Sequence, residues 1–228
     1  MLEITQEWKT TYPNACAGVL ILRGVSNPAN SPELEKRKAG LETDLRGRFT
    51  GFDRPALLDL PELKAYDSYY SRFKKTYHIQ LQLESIVFKG KTLPAVATLV
   101  ESMFMAEVED LLLTAGHDLD VLKTPLTLDV SKGNETYTLM RGEEQTLKAE
   151  DMFIRDGEGV ISSVIYGPDR RTQIRPETTS AVFTTYAPAG IAAEAVRTHL
   201  EHIRRNVLCF APQAATEMLE VFGGEGMS

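Results

Sequence analysis

A change of pattern at Val108 limits the fold of this chain more than any other feature. Upstream of it apolar residues recur at helical spacing; downstream they fall into short runs separated by turn residues. Helices followed by short strands predict an α+β domain, with mixed, mainly antiparallel β-sheets packed against flanking helices. The chain has 228 residues, 43% of them hydrophobic, which is enough to enclose a substantial core. No repeat or linker divides it, so one domain over residues 1–228 is expected.

In the first half, Ala17 to Leu22 is a short apolar run closed by Arg23-Gly24 and is expected to be a buried strand. Ser31 and Pro32 form an N-cap and first helical position for a helix carrying Leu34, Leu41, Leu45 and Phe49 on its apolar face. The charge run Glu35 to Lys38 then belongs to a solvated face, with RNA contact as the other reading. Further helices are expected over Pro61 to Phe73 and Gln80 to Phe88, and from Pro94 through Phe104. Tyr66 and Tyr70 recur at helical spacing, which suits core packing better than stacking on bases.

Beyond Val108, strands are expected at Leu111–Leu113, Leu126–Val130, Tyr137–Met140, Met152–Ile154, Val160–Ile165 and Ala181–Tyr186. The turn signals Ser131 to Asn134 and Asp156 to Gly159 predict hairpins between the runs they separate. Gly190 to Leu208 has the spacing of an amphipathic helix, and residues 209–228 are expected to form a small-residue tail.

A net charge of −7 excludes a general nucleic-acid-coating surface, because that affinity comes from Lys and Arg neutralising phosphates. It leaves room for a local basic rim. Cys16 and Cys209 have no metal-ligand spacing and are expected to be two buried thiols. Met1 to Glu7 lacks the basic and apolar regions of a signal peptide, and no apolar run is long enough to span a bilayer, so a cytoplasmic protein without membrane contact is expected. The sequence has no Walker loop, nucleophile elbow or dinucleotide fingerprint, and no cofactor is expected. His199 and His202 lie three apart, but no third ligand accompanies them and Arg204-Arg205 follows, so no metal is expected there.

Three segments are informative together: Lys89-Gly90-Lys91-Thr92-Leu93-Pro94 with the helix after it, Ala115-Gly116-His117-Asp118-Leu119-Asp120, and Tyr166-Gly167-Pro168-Asp169-Arg170-Arg171 leading to Thr178-Thr179. In this order, with strands between them, they resemble the fused B-three/B-four editing module of the bacterial phenylalanyl-tRNA synthetase beta subunit. The resemblance is strongest over residues 12–206 and is one of layout more than of letters. It implies the fold of that editing domain and a pocket that hydrolyses the ester of a wrongly attached amino acid on tRNA.

Carried over by residue, the family's active-site histidine falls on Ala115, and His117 lies two residues later; in an extended chain both point to one face. A surface histidine in a Gly-containing turn is the competing reading. Where the family has an acidic residue after a glycine pair, this chain has Gly167 and Asp169. Asp169 would hold the substrate ammonium group, or would simply belong to a Pro-Asp turn. The resemblance thus makes His117 and Asp169 the candidate catalytic residues, with Ala115, Gly116, Tyr166, Gly167, Arg170 and Arg171 binding substrate. His117 would orient water, Tyr166 would stack on the terminal base, and Arg170 or Arg171 would meet phosphates. The expected partners are the 3′ end of a tRNA and its amino-acid moiety, and the protein is expected to be a monomer. Ester hydrolysis of this kind needs a positioned water and does not require a covalent nucleophile. The alternatives are a relative that binds tRNA or a protein partner without chemistry and a module on the same fold that binds an amino acid or small metabolite without chemistry.

Overall fold

The computed structural model describes residues 2–224. In chain order the elements are β1 (Leu2–Ile4), α1 (Gln6–Thr11), β2 (Cys16–Arg23), α2 (Pro32–Arg48), α3 (Arg54–Leu58), α4 (Pro61–Ser71), α5 (His78–Lys89), α6 (Thr98–Asp110), β3 (Leu113–Asp118), β4 (Leu126–Val130), β5 (Thr136–Thr138), β6 (Glu144–Thr146), β7 (Met152–Arg155), β8 (Val160–Ser163), β9 (Gly167–Pro168), β10 (Ser180–Ala187), α7 (Ala193–Leu208) and β11 (Ala215–Gly223). They form an α+β fold with a four-stranded sheet ordered β11-β2-β10-β3, a five-stranded sheet ordered β1-β4-β7-β8-β9, and a ribbon of β5 and β6. Every pairing is antiparallel except that of β1 with β4. No helix among the described residues is long and apolar enough to cross a membrane.

The apolar runs of β2 and β10 are central strands, buried on both faces. Alternation then sends their side chains into two cores. Leu20, Leu22 and Phe183 pack with Leu99 and Met103 of α6 and Leu200 and Ile203 of α7. Val19, Ile21 and Val182 face the larger core that includes Tyr66, Tyr77 and the apolar residues of the five-stranded sheet. Gly18 lets α7 close on β2: a Cβ there would stand 2.6 Å from Val196 Cγ1 and 3.0 Å from Leu200 Cδ1.

The tyrosines of α4 are buried, and their hydroxyls join the two sheets. Tyr66 stacks on Tyr77 at 4.1 Å. Its hydroxyl donates to the Tyr186 carbonyl and accepts the Leu113 N–H at 2.8 Å, so it bridges β10 and β3 where their ladder ends. Tyr69 donates to Asp151 at 2.7 Å and accepts the Met152 N–H, and Tyr70 donates to the Val164 carbonyl at 2.8 Å.

Several expectations are corrected. The helix expected from Pro94 begins at Thr98, because Asn27 accepts the Leu99 N–H at 3.0 Å and caps that turn from a distant loop. Leu111 and Leu112 are not strand: Leu111 has φ of 62° and ends α6, so β3 starts at Leu113. The Ser131 to Asn134 turn makes no hairpin between its flanking runs; Glu135 accepts the N–H groups of Lys132, Gly133 and Asn134 and turns the chain into the separate β5–β6 ribbon. Within the charge run, Lys38 is buried in a pair with Glu101 of α6 at 2.9 Å, while Glu35, its other partner, stays exposed. The expected tail forms edge strand β11 on β2, where the apolar surface of Met218, Leu219, Val221 and Phe222 is half covered. Cys16 is buried, but Cys209 is half-exposed at the end of α7. Residues 225–228 lie outside the described residues.

Gly18→Ala is expected to overpack the contact between α7 and β2 and cost about 1–3 kcal/mol. Urea denaturation checks this, and an unchanged midpoint would mean that the helix seats on the sheet less tightly than the distances require.

Candidate functional site

The reversal between α6 and β3 builds the site. Leu111, in the left-handed region usually left to glycine, turns the chain within two residues, and Tyr77 donates to its carbonyl at 3.2 Å. β3 therefore runs back beside α6, and the Thr114 N–H reaches the Glu107 carboxylate at 2.9 Å. β3 is an edge strand. The Thr114 N–H goes to Glu107 and the Asp118 N–H to the Thr172 carbonyl, both away from β10. Strand alternation points the Gly116 N–H the same way, and it meets no hydrogen-bond partner among the described residues.

Beyond that edge lies a cavity of about 440 Å³ between α6, β3 and the segment from Ser163 to Pro168. Val100, Met103, Phe104, Ile165 and Ile174 give it apolar walls. Glu107, Thr114, Ser163, Gln173 and the Tyr186 ring interrupt them, with His78 at one side. Tyr186 is fixed by a hydrogen bond between its hydroxyl and Ser162. Gly167, at φ of 81°, turns the opposite wall, and its carbonyl accepts the Tyr137 hydroxyl at 2.8 Å. Glu107 is the one carboxylate in this lining. Burial pushes it up to about 8 against the lowering effect of the Thr114 N–H, so at neutral pH it is largely protonated.

Four of the sequence-derived candidates meet in the lining: Ala115 and Gly116 from β3, Tyr166 and Gly167 from the facing segment. His117, Asp169, Arg170 and Arg171 do not line it. His117 is fully buried, neither in a surface turn nor at the cavity. Its Nδ1 lies 2.7 Å from the Thr172 hydroxyl, which donates to Asp169. With that proton committed to Asp169, the hydroxyl accepts from His117, leaving Nε2 bare; this nitrogen has no partner. Burial pushes His117 down to about 3 and raises Asp169, so this His–Thr–Asp chain stands behind the wall as a buried tie. Arg171 is held by carboxylates, with Asp156 at 2.7 Å and Glu158 at 3.3 Å. Arg170 is exposed beside Gly142. Lys75, above the Tyr166 ring at 5.8 Å, and Arg141 line a groove that shares Met140, Ile165, Tyr166 and Pro168 with the cavity.

Sequence reasoning missed Glu107, Thr114, Ser163 and Tyr186. Glu107 had a signal: it stands four residues after Met103 and seven after Val100, on an otherwise apolar stripe. The others read as ordinary strand residues.

The fold and the pocket at the free edge of β3 define a class that the comparisons specify. The model of the B3/4 domain matches residues 65–221, well over half of the chain, and the chain belongs to that family. Its fold is similar to the crystal structure of an N-terminal fragment of the phenylalanyl-tRNA synthetase beta-subunit from Pyrococcus horikoshii, with a TM-score of 0.50 and 11% identity over 97% of this chain. The chain covers 50% of that fragment. No curated protein matches the sequence.

Two pH dependences follow. Glu107 binds its proton more tightly folded than unfolded, so its contribution to stability is complete below the ordinary value of 4.5 and is lost as pH rises through about 8. Glu107→Gln removes that loss, and its melting temperature is expected to gain on the parent by several degrees between pH 5 and pH 8. His117 has the opposite sign: its contribution is present above 6.5 and is lost as pH falls towards 3. Melting curves of His117→Gln across acidic pH are expected to fall less steeply than the parent's.

Proposed function

We propose that the cavity takes the aminoacyl group at the 3′ end of a charged tRNA and that the protein hydrolyses its ester. The observation carrying this reading is a buried carboxylate, Glu107, in a cavity otherwise apolar enough for a hydrophobic amino-acid side chain. An α-ammonium group beside Glu107 supplies the cation that makes its ionised form favourable. The Gly116 N–H is suited to the ester carbonyl, where a fixed donor polarises the bond to be broken.

Lys75 and Arg141 at the groove, with Tyr166 beneath Lys75, would receive the terminal phosphates and base. In this proposal the direct roles first considered for His117 and Asp169 pass to lining residues, and the pair acts by holding the Gly167 to Ile174 wall through Thr172. A local rim of this kind is compatible with the net charge of −7.

A second reading, a module that binds a free amino acid without chemistry, is favoured by one observation: the histidine of the motif segment is sealed away from the cavity. Release of amino acid from a panel of correctly and wrongly charged tRNAs separates the two. The deacylase reading expects selective release, with Glu107→Gln lowering kcat/KM roughly 10²-fold, the scale of losing one partner of a buried charge pair. No release from any member, together with thermal stabilisation by free amino acid that Glu107→Gln abolishes, would leave the binding module.

A further inference from the structure

A second polar constellation touches the same cavity through one of its members, Thr114. Asp110 ends α6, Thr114 lies in β3 four residues on, and α7 places His199 between them. His199 is fully buried, with Nδ1 2.9 Å from Asp110 Oδ2 and Nε2 2.7 Å from Thr114 Oγ1. Asp110 is also bound by His202 Nδ1 at 2.9 Å; hydrogen bonds from the two imidazoles outweigh its burial and hold its carboxyl below the ordinary range. A carboxylate only accepts, so Nδ1 of His199 carries a proton, and in the neutral ring Nε2 is the acceptor. The Thr114 hydroxyl therefore donates to His199, and the Thr185 hydroxyl, 3.0 Å away, donates to Thr114.

We propose that Thr114 is the nucleophile of the deacylation, with His199 as its general base and Asp110 positioning His199. This rests on the deacylase reading for its substrate and on its own geometry for the attacking group. Hydroxyl, imidazole and carboxylate stand in hydrogen-bonded series, the arrangement that activates an otherwise weak nucleophile. Thr114 lines the cavity, its N–H holds Glu107, and the unpaired Gly116 N–H lies two residues along the same edge. Ammonium anchor, attacking oxygen and carbonyl donor thus come from one short stretch of backbone.

In the reaction Thr114 Oγ1 bonds to the ester carbonyl carbon as its proton passes to His199 Nε2. The bond from that carbon to the ribose oxygen breaks, and His199 returns the proton to the ribose oxygen. Water then adds to the acyl-Thr114 ester, giving one proton to His199 and releasing the free amino acid; the proton returns to Thr114 Oγ1. No oxidant, metal or further reactant enters the balance.

The test uses the whole chain with p-nitrophenyl esters of leucine and phenylalanine, whose side chains suit the apolar walls, alongside the charged tRNA panel. Acid quenching followed by peptide mass mapping is expected to find the aminoacyl adduct on Thr114. Thr114→Ser is expected to keep the adduct at position 114, Thr114→Val to lose at least about 10²-fold in release, and His199→Gln to lower kcat comparably with KM little changed. An adduct on another residue, or Thr114→Val retaining more than a tenth of the release rate, overturns the proposal and leaves the three residues as a cross-tie between α6, α7 and β3. If Thr114 is labelled by the esters but no charged tRNA is deacylated, the nucleophile stands and the tRNA reading falls. If tRNA is deacylated equally by Thr114→Val, the reverse holds.

Discussion

The Tyr66 hydroxyl, placed between the Leu113 N–H and the Tyr186 carbonyl, is the contact on which the rest of the site depends. It completes the β3–β10 ladder from a helix instead of a strand, and so fixes where the ladder stops. Just before that point the chain leaves α6 and reverses at Leu111. Tyr69 and Tyr70, one turn further along α4, hold Met152 of β7 and Val164 just after β8. The gap between β3 and the Ser163 to Pro168 segment is therefore set by α4. Phenolic side chains suit this work because their rings fill the core while their hydroxyls satisfy main-chain groups that would otherwise be buried without partners.

The same dry interior explains the electrostatics. Desolvation dominates at Glu107, at Asp151, which is pushed up to about 7, and at His117, driving all three towards their neutral forms. Asp110 goes the other way because two imidazoles face it. Neutral groups thus stand behind the walls, and one ionisable carboxyl, Glu107, stands within them.

Much of the architecture was legible from Ser31, Pro32, the β2 run and the tyrosine spacing, since capping chemistry, fixed φ and residue periodicity act locally. The α6 start was not, because its cap comes from Asn27, some seventy residues upstream. The β11 strand was hidden for a related reason: an edge strand needs only a half-covered apolar row, which in sequence resembles a tail. Of the cavity lining, Ala115, Gly116, Tyr166 and Gly167 were legible through the resemblance, whereas His117 stands buried behind the wall.

By itself the sequence determined the α+β class, the pattern that places the chain in the B3/4 domain family, and the two segments whose backbones meet across the cavity. Those depend on local propensity and on the order of elements along the chain. Only the tertiary structure decided that Glu107 points into the cavity, that His117 and Asp169 meet through Thr172 behind its wall, and that Asp110, His199 and Thr114 fall into series. The physical reason is distance along the chain. Burial and hydrogen-bond partnership give these polar side chains their chemistry, and both are supplied by residues that become neighbours only when the helices close on the sheet.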